Sequence, residues 1–188
     1  MYEYISGKLT SLTAATAVVD CGGVGYLLDI TLNTYSAIQT AQEVKLWVHE
    51  IIREDAHHLC GFATQREREM FRMLLGVNGV GGATARMMLS SMSVEELTAA
   101  IAEKDAKKVQ KVKGVGAKTA QRIVLELQDK VGGGTDMLPL SQTDHSKEEA
   151  LSALVMLGFP KAAADKVLQN LANGLTVEEL IKEALKQL

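Results

Sequence analysis

Val77-Asn78-Gly79-Val80-Gly81-Gly82-Ala83-Thr84-Ala85 returns thirty-five residues later as Val112-Lys113-Gly114-Val115-Gly116-Ala117-Lys118-Thr119-Ala120, with six of the nine aligned positions identical. In each copy a Gly-x-Gly turn opens an amphipathic helical pattern. Glycine allows positive φ at little steric cost and lets another backbone come close. The first N–H groups of a helix have no intrahelical acceptor, and with the positive end of the helix dipole they attract an anionic oxygen. Two such turns on one unit can grip a nucleic-acid backbone through its phosphates without reading bases. The ordinary alternative, two plain helix connectors, is weakened by the duplication and by the basic residues around the second copy. A Walker A loop is excluded, because Ala117 stands before Lys118 and Val112 occupies the place of the upstream glycine. A Rossmann turn fails for want of a third glycine, so no ATP or dinucleotide site is read in the chain.

At 188 residues the chain holds one ordinary domain or two to three small ones. Its 47% hydrophobic and 23% charged residues fit a soluble globular protein. No apolar run approaches a membrane span, and Met1-Tyr2-Glu3-Tyr4 lacks the basic-then-apolar layout of a signal peptide, so a cytoplasmic protein is expected. Cys21 and Cys60 have neither metal-ligand spacing nor the numbers for a disulfide framework, and are expected to be buried reduced thiols. The net charge of −3 is unevenly spread: residues 1–64 carry −4, residues 65–134 carry +4, and residues 135–188 carry −3. Local field rather than net charge governs phosphate attraction, since screening acts within about 8–10 Å. The middle segment, which holds the repeated turns, is therefore the DNA candidate.

Residues 1–63 read as β structure. Tyr2 to Leu9, Ala15 to Cys21, Val24 to Thr31, Val44 to Ile52 and a returning His57 to Phe62 are rich in β-branched and aromatic residues, with Gly22-Gly23 as a tight turn. Val44, Leu46 and Val48 alternate with Lys45, Trp47 and His49, which predicts one buried face; Leu32 to Ile38 is a short helical insert. Five strands in so short a span suggest a small closed barrel such as an OB-fold. From 64 to 131 the period turns helical, with two helix–turn–helix units and a capping box at Ser93 and Glu96. Gly132-Gly133-Gly134 and the polar stretch to Ser146 read as a flexible linker, 132–146. Residues 147–188 hold three short helices, Glu148 to Leu157, Lys161 to Leu171 and Val177 to Leu188, with Asn173-Gly174 ending the second and a capping box at Thr176 and Glu179. The acidic balance of this tail points to a protein partner rather than to DNA.

The hairpin between the last two strands has Glu54 and Asp55 at its tip. Two carboxylates at an exposed tip ordinarily serve solubility, and His57 and His58 have no third ligand at zinc spacing, so no metal site is read.

Asn78-Gly79-Val80-Gly81, Gly114-Val115-Gly116 with Lys118-Thr119-Ala120, and Cys60-Gly61-Phe62, in this order of segments, resemble the RuvA family of bacterial Holliday-junction-binding proteins over essentially the whole chain. The resemblance implies a multidomain α+β fold: an N-terminal OB-fold barrel, tandem helix–hairpin–helix motifs, and a C-terminal three-helix, UBA-like domain. It implies a non-catalytic subunit without cofactor, binding four-way junction DNA as a homotetramer or as two tetramers sandwiching the junction. The junction is held open in square-planar form for branch migration in recombination and in repair of DNA damage, within the SOS response. Its partners are the hexameric ATPase RuvB, docked on the C-terminal domain, and the resolvase RuvC. Carried onto this sequence, the phosphate-binding residues are Asn78, Gly79, Val80, Gly81, Gly114, Val115, Gly116, Lys118, Thr119 and Arg122. Glu54 and Asp55 match the acidic pin at the centre, and Leu154, Leu157 and Phe159 are candidates for partner docking. One departure stands out: many relatives carry Pro-Lys where this chain has Gly82-Ala83, so the first motif lacks a local lysine. A helix–hairpin–helix repair enzyme is disfavoured, because the one carboxylate pair that stands out, Glu54-Asp55, lies on the β segment away from the turns. An adaptor role for the tail alone is the remaining alternative.

Overall fold

The computed structural model of the chain describes residues 1–54, 56–132, 142–172 and 174–187. Asp55 of the tip, Asn173, and most of the expected linker lie outside the described residues. The chain divides into two compact units, Met1–Gly132 and Gly133–Leu188.

The first unit begins with β1 (Tyr4–Leu12), β2 (Thr16–Cys21) and β3 (Val24–Ile30), followed by helix α1 (Leu32–Ile38) and strands β4 (Glu43–Ile52) and β5 (His57–Phe62). They close into a barrel in the order β1-β2-β3-β5-β4. Four of the strand pairs are antiparallel, and the barrel is closed by the parallel pairing of β3 with β5. The alternation on β4 works as expected: Val44, Leu46 and Val48 are buried with Ile5, Val19, Leu28 and Ile30 in the barrel interior, while Lys45 is exposed. β1 starts two residues later and ends three later than its sequence pattern, pairing with both β2 and β4. Of the two cysteines only Cys60 is buried, and burial pushes its thiol up to about 11. Cys21 is half-buried at a strand end, where its Sγ donates to the Ser6 carbonyl at 3.2 Å; the expectation of two buried thiols fails there.

Helices α2 (Gln65–Leu75), α3 (Gly82–Ser91), α4 (Val94–Ala102), α5 (Ala106–Gln110) and α6 (Ala117–Gly132) complete the unit. Thr64 caps α2, and Ser93 with Glu96 forms the expected capping box on α4. The sequence predicts a basic helix from Lys104 to Val112 before the second turn, and α5 is shorter at both ends. Lys104 takes φ +58 to end α4, and Asp105 then caps α5 by accepting from the Lys108 N–H at 3.0 Å. Helices α2 to α6 share one apolar core, with Phe71, Leu74, Met88, Leu89, Leu97, Ile101, Ile123 and Leu127 fully buried.

Barrel and helices are locked by two charged neighbours on α2. Glu67, 4% exposed, accepts from the hydroxyls of Thr31 at 2.5 Å and Thr34 at 2.8 Å. Burial holds its pKa above the usual carboxylate value, against the opposing effect of those hydrogen bonds. Arg68, 2% exposed, donates to the Glu3 carbonyl at 3.0 Å and its carboxylate at 2.6 Å, with its guanidinium 5.1 Å from the Trp47 ring. That hydrogen bond holds the Glu3 carboxyl below its ordinary pKa.

The second unit contains α7 (Gln142–Met156), α8 (Lys161–Asn170) and α9 (Val177–Leu185), packed around Ala150, Leu154, Ala164, Leu168, Leu180 and Ala184. Thr176 and Glu179 form the expected capping box, whose hydrogen bonds lower the Glu179 pKa. Two helices intrude on the span 132–146 read as linker: α6 continues through Gly132 and α7 opens at Gln142. The first turns of α7 are polar, so the apolar period that marks a helix in sequence starts only further along. Among the described residues no helix is long and apolar enough to cross a membrane.

Candidate nucleic-acid interface

The two repeated segments adopt one backbone design. Gly79 takes φ +91 and Gly114 φ +89, in the left-handed region that a side chain disfavours. Each turn is closed by the same hydrogen bond, Val80 N–H to the Val77 carbonyl at 3.0 Å and Val115 N–H to the Val112 carbonyl at 3.1 Å. The valines on both sides of each bond are buried and anchor the turns to the core, while Asn78, Gly79, Gly81, Gly114 and Gly116 are exposed. Sequence spacing alone separates these turns by thirty-five residues; the fold makes them neighbours. Arg122, on α6, donates to the Asn78 carbonyl of the first turn at 3.0 Å, and a Cβ at Gly79 would lie 4.0 Å from Thr119 Oγ1.

The second glycine of each turn has a different character from the first. Gly81 is the N-cap of α3 with an ordinary extended backbone, φ −95 and ψ 172, and offers no side-chain cap. Gly116 likewise lies outside the positive-φ set. A Cβ built on either would meet nothing within 4 Å. Nothing inside the molecule requires glycine at these two positions. What a side chain would occupy is the open space in front of a helix start, where unpaired N–H groups face outward. That is the arrangement a phosphate oxygen needs for close approach to the backbone.

The predicted cations separate. Lys118 is exposed on the first turn of α6. Arg122 is also exposed, but it braces the first turn and lies 3.8 Å from Glu126, so part of its donor capacity is spent within the molecule. Thr119 is half-buried between the turns. At the barrel hairpin Glu54 is exposed, and Arg53 N–H to the Ala56 carbonyl at 2.8 Å closes the tip. His57 pairs with Glu50 at 2.6 Å and His58 with Asp29 at 3.4 Å. Among the described residues no group of three or more His, Cys, Asp or Glu is placed to hold a metal ion.

Sequence reading passed over Arg86. It lies on α3 one turn beyond Ala83, and its Nη1 stands 2.7 Å from Asp29 Oδ2 on the barrel. The available signal was a basic residue at i+3 from the position where the second copy has lysine. In the second unit, Leu154 is fully buried in the core, and Phe159 is half-buried against the same core. Leu157 is exposed, flanked by Val155 and by Met156, which is 86% exposed.

Family models match along the chain in the same order as its structural elements. Residues 1–61 match the RuvA N terminal domain, residues 71–129 the SAM-like helix-hairpin-helix tandem, and residues 146–188 the RuvA C-terminal domain. A protein of Bacteroides thetaiotaomicron named Holliday junction branch migration complex subunit RuvA is 47% identical over 201 aligned residues, covering the whole of both chains. Proteins of the same name from Christiangramia forsetii and Parabacteroides distasonis are each 46% identical, again over the whole of both chains. Identity at this level along the full length, with the paired hairpins and the closed barrel in place, shows that the chain belongs to the RuvA family.

Proposed function

We propose that this chain is the DNA-binding subunit of a branch migration complex, acting in the cytoplasm in recombination and repair. It binds a four-way junction through backbone phosphates, without reading sequence, and holds it open in square-planar form as a homotetramer. The observation that carries this reading is the pair of adjacent hairpins with exposed glycines at 81 and 116 that the fold itself does not require. Phosphate contacts of this kind supply affinity for any duplex. Preference for a junction therefore has to arise elsewhere. Fourfold assembly would gather the Glu54–Asp55 tips at the crossover, where their charge repels the phosphates of a continuous duplex. The C-terminal unit recruits the RuvB ATPase, which supplies the motor and the ATP chemistry, through the exposed surface around Met156 and Leu157. RuvC acts on the same junction.

The test is a gel-shift comparison of the wild type with a Glu54→Gln, Asp55→Asn variant on a synthetic four-way junction and on linear duplex of equal length. The variant is expected to gain affinity for duplex relative to junction. Unchanged selectivity would remove the tip from the mechanism. Light scattering with and without junction reads the assembly state in the same samples.

A further inference from the structure

The first hairpin opens its helix with Gly82-Ala83 where the second has Ala117-Lys118, so it brings no cation of its own to a phosphate. The missing side chains leave room: a cleft of about 170 Å³ lies between the barrel and α3, lined in part by Gly82 and Ala83. β4 comes directly against the helix start there, since a Cβ on Gly82 would lie 2.7 Å from Ile51 Cδ1. The same cleft is lined by Arg53, from the base of the hairpin tip, by His58 of β5, by Arg86 of α3 and by Asp29 of β3. Arg86 is three residues past Ala83 and therefore on the same helix face.

The charge in this cleft is arranged rather than cancelled. Asp29 Oδ2 forms an ion pair with Arg86, 2.7 Å from its Nη1, and lies 3.4 Å from His58 Nδ1. A carboxylate bound to one edge of a guanidinium fixes the plane of the fork and leaves its remaining N–H donors for another acceptor. Arg53 is exposed, and its guanidinium has no hydrogen-bond or ion-pair partner among the described residues. Two guanidinium groups against one carboxylate leave a single positive charge even with His58 neutral, which is the complement of one phosphodiester.

Building on the DNA-binding reading above, we propose that this cleft is the phosphate subsite of the first hairpin. Arg53 and Arg86 supply the cationic contact that position 83 lacks, and Asp29 holds Arg86 in place for it. The contact then comes from the barrel as well as from the hairpin, and it lies next in sequence to Glu54. One strand end thus carries a cation for a phosphate at the hairpin and an acid that repels phosphates at the centre.

The experiment is fluorescence anisotropy of the full chain on a synthetic four-way junction across a KCl series, with Arg53→Gln, Arg86→Gln and Lys118→Ala. Each arginine substitution is expected to weaken binding up to about tenfold at fixed salt. Each is also expected to reduce the slope of log affinity against log salt by about one. Adding Ala83→Lys to Arg53→Gln should restore the slope, because it returns a cation to the hairpin. Arg86→Gln also breaks the ion pair with Asp29, so its thermal denaturation is followed in parallel; Arg53→Gln breaks no such contact and is the deciding variant. Unchanged slopes in both arginine variants, with a lowered slope in Lys118→Ala, would overturn the subsite and leave DNA binding intact. Absence of junction binding by the wild type would overturn the DNA-binding reading itself.

Discussion

The hairpins at Val77–Ala85 and Val112–Ala120 share a positive-φ glycine, a closing hydrogen bond, buried valines and an exposed second glycine, yet their charges come from different sources. The second turn has Lys118 on its own helix, exposed and one residue into the first turn. The first has Ala83 there, with Arg86 tied to the barrel through Asp29 and Arg122 reaching over from α6. Cations from two helices, α3 and α6, thus stand beside one repeated backbone shape. The shape has to be local because it depends on the φ of single residues. The charge does not, because a guanidinium on a long side chain can be delivered from any element that packs nearby.

The largest test of this equivalence lies in the core. Met88 and Ile123 occupy matching positions of the two copies and are both fully buried. Met88→Ala and Ile123→Ala should each cost about 2–5 kcal/mol in urea unfolding. A large cost in one and a small cost in the other would show that the copies do not share one cooperative core. The next effect separates the two glycines of each turn. Gly79→Ala and Gly114→Ala should each lose about 1–2 kcal/mol of stability through the left-handed backbone alone. Gly81→Ala and Gly116→Ala should lose less than about 1 kcal/mol, as cap exchanges, while weakening DNA binding. Stability losses of equal size at all four would mean that the second glycines serve the fold. The smallest effect concerns charge: Lys118→Ala should lower the salt slope of DNA binding by about one, whereas Ala83→Ser should leave it unchanged. Identical slopes for Lys118→Ala and the wild type would remove the phosphate contact assigned to the second hairpin.

Much of this molecule was legible because its signals are local. The β4 alternation, the Gly22-Gly23 turn with positive φ at both residues, and the capping boxes of α4 and α9 all rest on hydrogen bonds or burial within a few residues. The run Arg66-Glu67-Arg68-Glu69 shows the limit. It is four charged residues in a row, yet its two middle residues are buried. Glu67 does fall on the stripe of Met70, Phe71 and Leu74, at i+3, i+4 and i+7, which was the one hint that it points inward. What makes its burial tolerable is invisible in that stripe, since Thr31 and Thr34 come from the barrel more than thirty residues earlier.

By itself, then, the sequence determined the repeat, the strand and helix periods, the caps, and the charge bias toward the middle segment. These follow from backbone dihedrals, side-chain periodicity and short-range hydrogen bonding, which a linear string records directly. Only the tertiary structure decided which charges are spent internally and which face outward. It placed Arg122 on Asn78, Arg86 on Asp29, and Leu154 in the core of the C-terminal unit. Those outcomes depend on which distant segments meet, and the energy of a charge is set by its surroundings rather than by its position in the chain.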